Sequence, residues 1–270
     1  MDPGPPKRRV RDKTEGASHT PTAVFVVPCF NEARRLETAP FLELAASVGV
    51  RLLFVNDGST DATEAVLHEL IAKSEGQAEL LTLARNSGKA EAVRLGMQRA
   101  AKSDADFVGF ADSDLATPIE ELLRLVAWVR ERNVPVVIAA RVGLAGTRID
   151  RKMWRHYAGR LFATAASVVL RARIYDTQCG AKIFRNTPLL RATLAEPFRS
   201  SWIFDVELIG RLIEGTATLP GLGEAGFVEM PLRRWQDVAG SKLRASSWIR
   251  AALDLGIIAV DLAQRRRLRR

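Results

Sequence analysis

Phe107-Val108-Gly109-Phe110-Ala111-Asp112-Ser113-Asp114 is a short apolar strand that runs directly into two carboxylates one residue apart. Upstream the same rhythm recurs. Val24 to Val27, Arg51 to Val55 and Leu80 to Leu83 are apolar runs of four or five residues, and Val134 to Ala139 follows downstream. Such runs suit strands buried on both faces. The amphipathic segments between them predict helices over Asn31 to Ser47, Asp61 to Lys73, Lys89 to Lys102 and Pro118 to Glu131. Pro118 fits a first helical turn, where its missing N–H costs nothing. The pattern is that of βαβ units in a mostly parallel sheet flanked by helices, an α/β fold.

In open sheets of this kind, ligands sit beyond the carboxyl ends of the strands, and the polar clusters fall there. Strand one ends in Pro28-Cys29-Phe30-Asn31-Glu32, strand two in Asn56-Asp57-Gly58-Ser59-Thr60-Asp61, strand three leads to Arg85-Asn86-Ser87-Gly88-Lys89, and strand four ends in the acidic pair. Beyond Ala140 the reading is a basic loop, a long helix from Ile149 to Leu170, short strands around Ile174 and Ile183, and a helix from Asp205 to Glu214.

A final helix, Ala245 to Ala263, is apolar except for Arg250, Asp254 and Asp261, and runs into Arg265-Arg266-Arg267-Leu268-Arg269-Arg270. Those charges and its modest length argue against a membrane span. The expectation is a helix in the membrane interface held by its basic end, with docking on the domain as ordinary core the competing reading. Residues 1–20 read as a disordered basic tail, 21–243 as one catalytic domain and 244–270 as the amphipathic helix.

Of the net charge of +9, the two tails supply seven. That distribution speaks against a nucleic-acid partner, whose phosphates are gripped by bases on a folded face; terminal base clusters suit an anionic lipid surface, although the N-terminal tail reads better as an aid to solubility. Nothing at the start reads as a secretory signal, so a peripheral place on the cytoplasmic side of the cell membrane is expected. Cys29 and Cys179 belong to no zinc-like cluster and read as reduced thiols.

Asp112 and Asp114 offer hard oxygen ligands to Mg²⁺ or Mn²⁺, which in turn would hold a diphosphate; alone, the pair also fits a solvated turn or a helix cap. Asp57 is suited to accept hydrogen bonds from a nucleobase, while Gly58 through Asp61 are explained by a tight turn and the next helix cap. Lys89 is poorly placed for the helix dipole and well placed for a phosphate. Residues 141–160 carry six bases, among them Arg141, Arg155 and Arg160, against the single acid Asp150. Two phosphorylated substrates require such neutralisation, although a solvated helix face accounts for Arg151 and Lys152.

The four polar clusters, in this order and spacing, resemble the inverting family 2 glycosyltransferases of GT-A fold. Asp176-Thr177-Gln178-Cys179-Gly180-Ala181-Lys182, Trp202-Ile203-Phe204-Asp205-Val206-Glu207-Leu208 and Gly240-Ser241-Lys242-Leu243 are similar to the dolichyl-phosphate β-glucosyltransferases. The resemblance implies a nucleotide-sugar pocket lined by Pro28, Asn31, Glu32 and Asp57, with Lys89 near the donor and Asp112 and Asp114 on metal and diphosphate. It implies Arg141, Arg155 and Lys242 for the acceptor phosphate. Asp205 is then a catalytic-site residue that orients the acceptor or steadies charge. Related mannose synthases carry a glutamine metal ligand two residues after the second aspartate; here that position is Ala116, which leaves the third ligand unnamed. The expected reaction moves a hexose, glucose from UDP-glucose, to a polyprenyl or dolichyl phosphate with inversion. The alternatives are GDP-mannose or another nucleotide sugar as donor, or a soluble or polysaccharide acceptor.

Overall fold

The computed structural model describes residues 22–150, 153–237 and 245–268. The first half alternates strand and helix: β1 (Ala23–Cys29), α1 (Thr38–Ala45), β2 (Val50–Asn56), α2 (Thr63–Lys73), β3 (Ala78–Thr82), α3 (Lys89–Ala101), β4 (Phe107–Ala111), α4 (Ile119–Arg132) and β5 (Val136–Ala140). The second half holds β6 (Arg148–Asp150), α5 (Met153–Leu170), β7 (Ala181–Arg185), α6 (Pro188–Ala195), α7 (Phe204–Glu214), β8 (Phe227–Pro231), β9 (Arg234–Gln236) and α8 (Ala245–Leu268). Seven strands form one sheet in the order β3-β2-β1-β4-β7-β5-β8, and β6 and β9 pair separately. All neighbours in the large sheet run parallel except β7, which is antiparallel to both β4 and β5.

Every residue of β4 and β5 is buried, because helices cover both faces. Alternate side chains feed two cores. Val24 and Val26 face the layer of α3, α6, α7 and α8, whereas Phe25 and Val27 face α1, α2 and α4. Each such buried side chain contributes about 1.5–3 kcal/mol, so the sheet is a rigid platform for the loops at its edge.

Three expectations need correction. The first helix begins at Thr38, not Asn31: Pro40 lacks the N–H that a helix already running through Leu36 would require, and it is accommodated only in the first turn. No strand forms around Ile174; the backbone N–H groups of Tyr175 and Asp176 instead donate to the Glu229 carboxylate at 2.8 Å each. Helix α6 and strands β8 and β9 were not expected from the sequence. The two aspartates of α8 turn inward, while Arg250 stays exposed. Asp254 accepts from the Ser200 hydroxyl at 2.7 Å, Asp261 pairs with Arg199 and Arg265, and Arg266 pairs with Glu214 at 2.6 Å. Ala251, Leu255, Ile258 and Leu262 are buried beside them. Helix α8 therefore docks on the domain by one face, with Arg265 and Arg266 paired to Glu196 and Glu214. The proposed tail, residues 1–20, lies outside the described residues.

Candidate active site

The loops at the carboxyl edge are tied to one another in sequence order. Asn31, in the left-handed region at φ 54°, accepts from the Thr60 N–H at 2.9 Å, and its own N–H donates to the Ser59 hydroxyl at 3.0 Å. Glu32 is held through its backbone by the Thr63 hydroxyl at 2.8 Å, and its carboxylate pairs with Arg35. Pro28 lies beyond the last residue of β1 that pairs with β4, so its missing N–H deprives that partner of nothing.

Asp57 is 2% exposed and accepts the N–H groups of Ser87 and Gly88 at 2.7 and 2.8 Å, one on each oxygen. Burial pushes its carboxyl above the ordinary range, with these two N–H groups pulling against the shift. Each oxygen keeps a lone pair for a further donor. The turn next to it requires glycine: Gly58 sits at φ +62°, and a Cβ there would lie 2.4 Å from the Arg85 carbonyl carbon. The second and third loops thus meet backbone to backbone.

The third loop then meets the fourth. Lys89, the first residue of α3, places its Nζ 2.5 Å from Asp112 Oδ1. Although the side chain is about half exposed, desolvation among the packed loops works against its charge, but attraction from Asp112, Asp205 and Asp114 wins and holds the ammonium above its usual pKa. Asp114 is pushed upward, first by burial and then by repulsion from Asp112, with the Ala116 N–H at 3.1 Å giving partial relief. Two crowded carboxylates, with Asp114 pushed upward, are a site in want of positive charge.

On the other side of Asp112 stands the segment leading into β7. The Asp112 N–H donates to the Gly180 carbonyl at 3.1 Å. A Cβ on Gly180 would lie 2.1 Å from Asp112 Oδ2, so the glycine is the cradle for that carboxylate. Lys182, fully buried, spans Cys179 O at 2.6 Å and Asp205 Oδ1 at 2.5 Å, above the Phe110 ring. Asp205 is therefore a paired, buried carboxylate rather than a free base. Burial raises both thiols, Cys179 to about 11, so both cysteines are inert packing residues.

Arg141 follows β5 and forms a fork with Asp176, Nε to Oδ2 at 2.7 Å and Nη2 to Oδ1 at 2.8 Å. Its guanidinium also lies 5.3 Å from the centre of the Trp235 ring. Asp176 is in turn placed by Glu229 of β8, through the bond already described. Arg141 thus reaches the site with one edge committed, and Nη1 makes no hydrogen bond among the described residues. Arg155 falls in the first turn of α5, with its side chain outside the described residues, and Lys242 lies outside them altogether.

The structure joins Asn31, Asp57, Lys89, Asp112 and Asp205 into one chain of contacts, with Asp114 and Arg141 alongside. Sequence reasoning did not single out Lys182, Asp176, Glu229 or Trp235. Asp176 and Lys182 stand inside a quoted motif, and their signal was a charge at each end of a short polar loop. Glu229 was legible only as a lone acid in an apolar run.

The carboxylate pair fits a hard divalent cation: its donors are all oxygen, and the Gly180 cradle leaves room for nothing larger than hydrogen behind Asp112. Among the described residues, no group of three or more His, Cys, Asp or Glu forms a complete metal cage.

The model of Glycosyl transferase family 2 matches residues 24–191. The chain is 31% identical over 260 residues to the dolichyl-phosphate beta-glucosyltransferase of Drosophila melanogaster, covering 87% of this chain and 73% of that protein. It is 28% identical to a dolichyl-phosphate beta-glucosyltransferase of Trichomonas vaginalis, over 96% and 77% of the two chains. Among solved structures, glucosyl-3-phosphoglycerate synthase from Mycobacterium tuberculosis, crystallised with Mn²⁺, UDP and phosphoglyceric acid, superposes with a TM-score of 0.62 at 19% identity, over 88% of this chain and 78% of that one. That likeness speaks to the fold, a GT-A arrangement. With the matched segment spanning all four polar loops and the acidic pair, this chain belongs to glycosyl transferase family 2 and is a glycosyltransferase.

Proposed function

We propose that this glycosyltransferase moves glucose from UDP-glucose to a polyprenyl or dolichyl phosphate with inversion, acting peripherally at the cytoplasmic face of a membrane. The observation that carries the reading is a continuity: the acidic pair that suits a donor diphosphate is linked through Gly180 and Asp176 to Arg141, which suits an acceptor phosphate. The names of the two curated relatives support the same donor sugar and acceptor class.

Asn31, Glu32 and Asp57, with Pro28 at the strand end, line the base and ribose side of the donor. Asp112 and Asp114 would hold Mg²⁺ or Mn²⁺, and the mycobacterial enzyme crystallised with Mn²⁺ supports a divalent ion of that kind. Bound there, the ion would neutralise the diphosphate as it leaves. Arg141, with Arg155 and Lys242, holds the acceptor phosphate in line with the anomeric carbon. A phosphate oxygen bonds to that carbon as its bond to UDP breaks, and the configuration inverts. A phosphate monoester with a second pKa of about 6 is already ionised at neutral pH, so no general base is required. Asp205, its charge fixed by Lys182, orients rather than abstracts.

The test is direct: the purified chain, Mg²⁺ and radiolabelled UDP-glucose are incubated with undecaprenyl or dolichyl phosphate, and the lipid is extracted. Label is expected in the organic phase. If it stays aqueous with both lipids while GDP-mannose or a soluble phosphorylated acceptor yields product, the reading is wrong.

The lipid acceptor has a second support. No helix among the described residues is long and apolar enough to cross a membrane, yet α8 exposes Leu253, Ile257 and Val260, at 67%, 48% and 59%, at helical spacing. Leu161 of α5 and Trp202 are exposed as well. Because Asp254, Asp261, Arg265 and Arg266 are engaged with partners on the inner side, this apolar stripe is the face offered to the bilayer. Ile257→Glu with Val260→Glu is expected to cut co-flotation with liposomes containing anionic lipid by at least about tenfold, as burial of two side chains is worth about 3 kcal/mol or more. Unchanged flotation would show that α8 is not the contact.

A further inference from the structure

Lys89 makes a contact that the donor site, as read above, does not need. A surface ion pair with its lysine 47% exposed ordinarily contributes little. This one differs because its acid is half of a self-repelling pair, and the ammonium lies at hydrogen-bond distance, 2.5 Å, from an oxygen assigned above to the cation. The Gly180 backbone closes the other side of that carboxylate, so Asp112 has little room to turn away toward a new ligand. An ammonium and a divalent ion therefore compete for one carboxylate. A donor brings what resolves the contest, an anionic diphosphate that Lys89 at the N-terminal end of α3 can follow.

We propose that Lys89 is an internal counter-ion of Asp112 that is exchanged for the divalent cation only when a nucleotide diphosphate takes over the ammonium, so that cation and donor bind interdependently. The proposal rests on Asp112 and Asp114 as the cation-binding pair. In the exchange no covalent bond is made: Lys89 leaves Asp112 for a diphosphate oxygen, Asp112 takes the cation, and the charge on each group is balanced before and after. Neither ligand alone achieves this, since a cation without the diphosphate meets a positive charge, and a diphosphate without the cation meets two carboxylates.

Free Mn²⁺ is measured by electron paramagnetic resonance while the full chain, Lys89→Ala and Asp114→Asn are titrated, each with and without saturating UDP; thermal melts confirm that the variants fold. In the parent chain UDP is expected to tighten Mn²⁺ binding at least about tenfold. Lys89→Ala is expected to bind Mn²⁺ alone about fivefold or more tighter than the parent, with the effect of UDP reduced by a similar factor. The proposal is overturned if Lys89→Ala leaves Mn²⁺ affinity unchanged or weaker without UDP. It is also overturned if affinity rises equally with and without UDP, which marks Lys89 as merely a nearby like charge. A different failure, Mn²⁺ binding that is absent from the parent or indifferent to Asp114→Asn, removes the cation site itself and the exchange with it.

Discussion

Asp114→Ala is expected to lower turnover by about a thousandfold or more, with the folded state intact. The size follows from what the carboxylate faces. It is crowded by Asp112, partly buried, and given only one backbone N–H by the protein. Its ionised form is costly in the free protein, and removing it relieves that cost. The same removal halves the oxygen set for a divalent ion, and loss of a single preorganised group at developing charge costs about 10² to 10³ in rate. A melting temperature equal to or above that of the parent, together with loss of lipid-linked product, is the expected pair of results. Substantial metal-dependent activity in the purified variant would remove Asp114 from the mechanism.

The second large effect belongs to Arg141. Its fork with Asp176 is 11% and 8% exposed on the two sides, so Arg141→Ala takes two charge-assisted hydrogen bonds from a buried carboxylate. Breaking such a pair costs about 3–5 kcal/mol. Adding Asp176→Ala to Arg141→Ala is expected to recover much of that stability, because both members of the pair are then gone. Activity is expected to separate from stability: the double variant regains its melting temperature yet keeps a KM for the lipid phosphate raised by about tenfold or more, with the KM for UDP-glucose little changed. If activity returned along with stability, Arg141 would serve only to hold the loop.

How far the chain could be read without coordinates depended on the distance between partners. The first four loops were legible because each follows an apolar run whose length and residue types signal a buried strand, and because parallel strands deliver all such loops to one edge. Pro40 marked the true start of α1 in the sequence as well, although amphipathic periodicity across Asn31 to Ser47 outweighed it. The acceptor side was less legible. Glu229 stands 53 residues from the Asp176 N–H that it holds, and no local pattern announces so distant a bond. The docking of helix α8 was illegible for a related reason. Its aspartates share one face, but only the positions of Arg199, Ser200 and Glu196 show that this face is inward.

The reversal of β7 within an otherwise parallel sheet has a consequence for how such an enzyme changes its substrate. A reversed strand brings its beginning to the rim where its neighbours finish, so segment 176–180 enters the cleft from a part of the chain unconnected to the first four crossovers. The loops proposed to hold the donor are consecutive and mutually buttressed, whereas Asp176 and Gly180, which steady Arg141 and Asp112, belong to a segment that sequence change can reach without rewriting any of those loops.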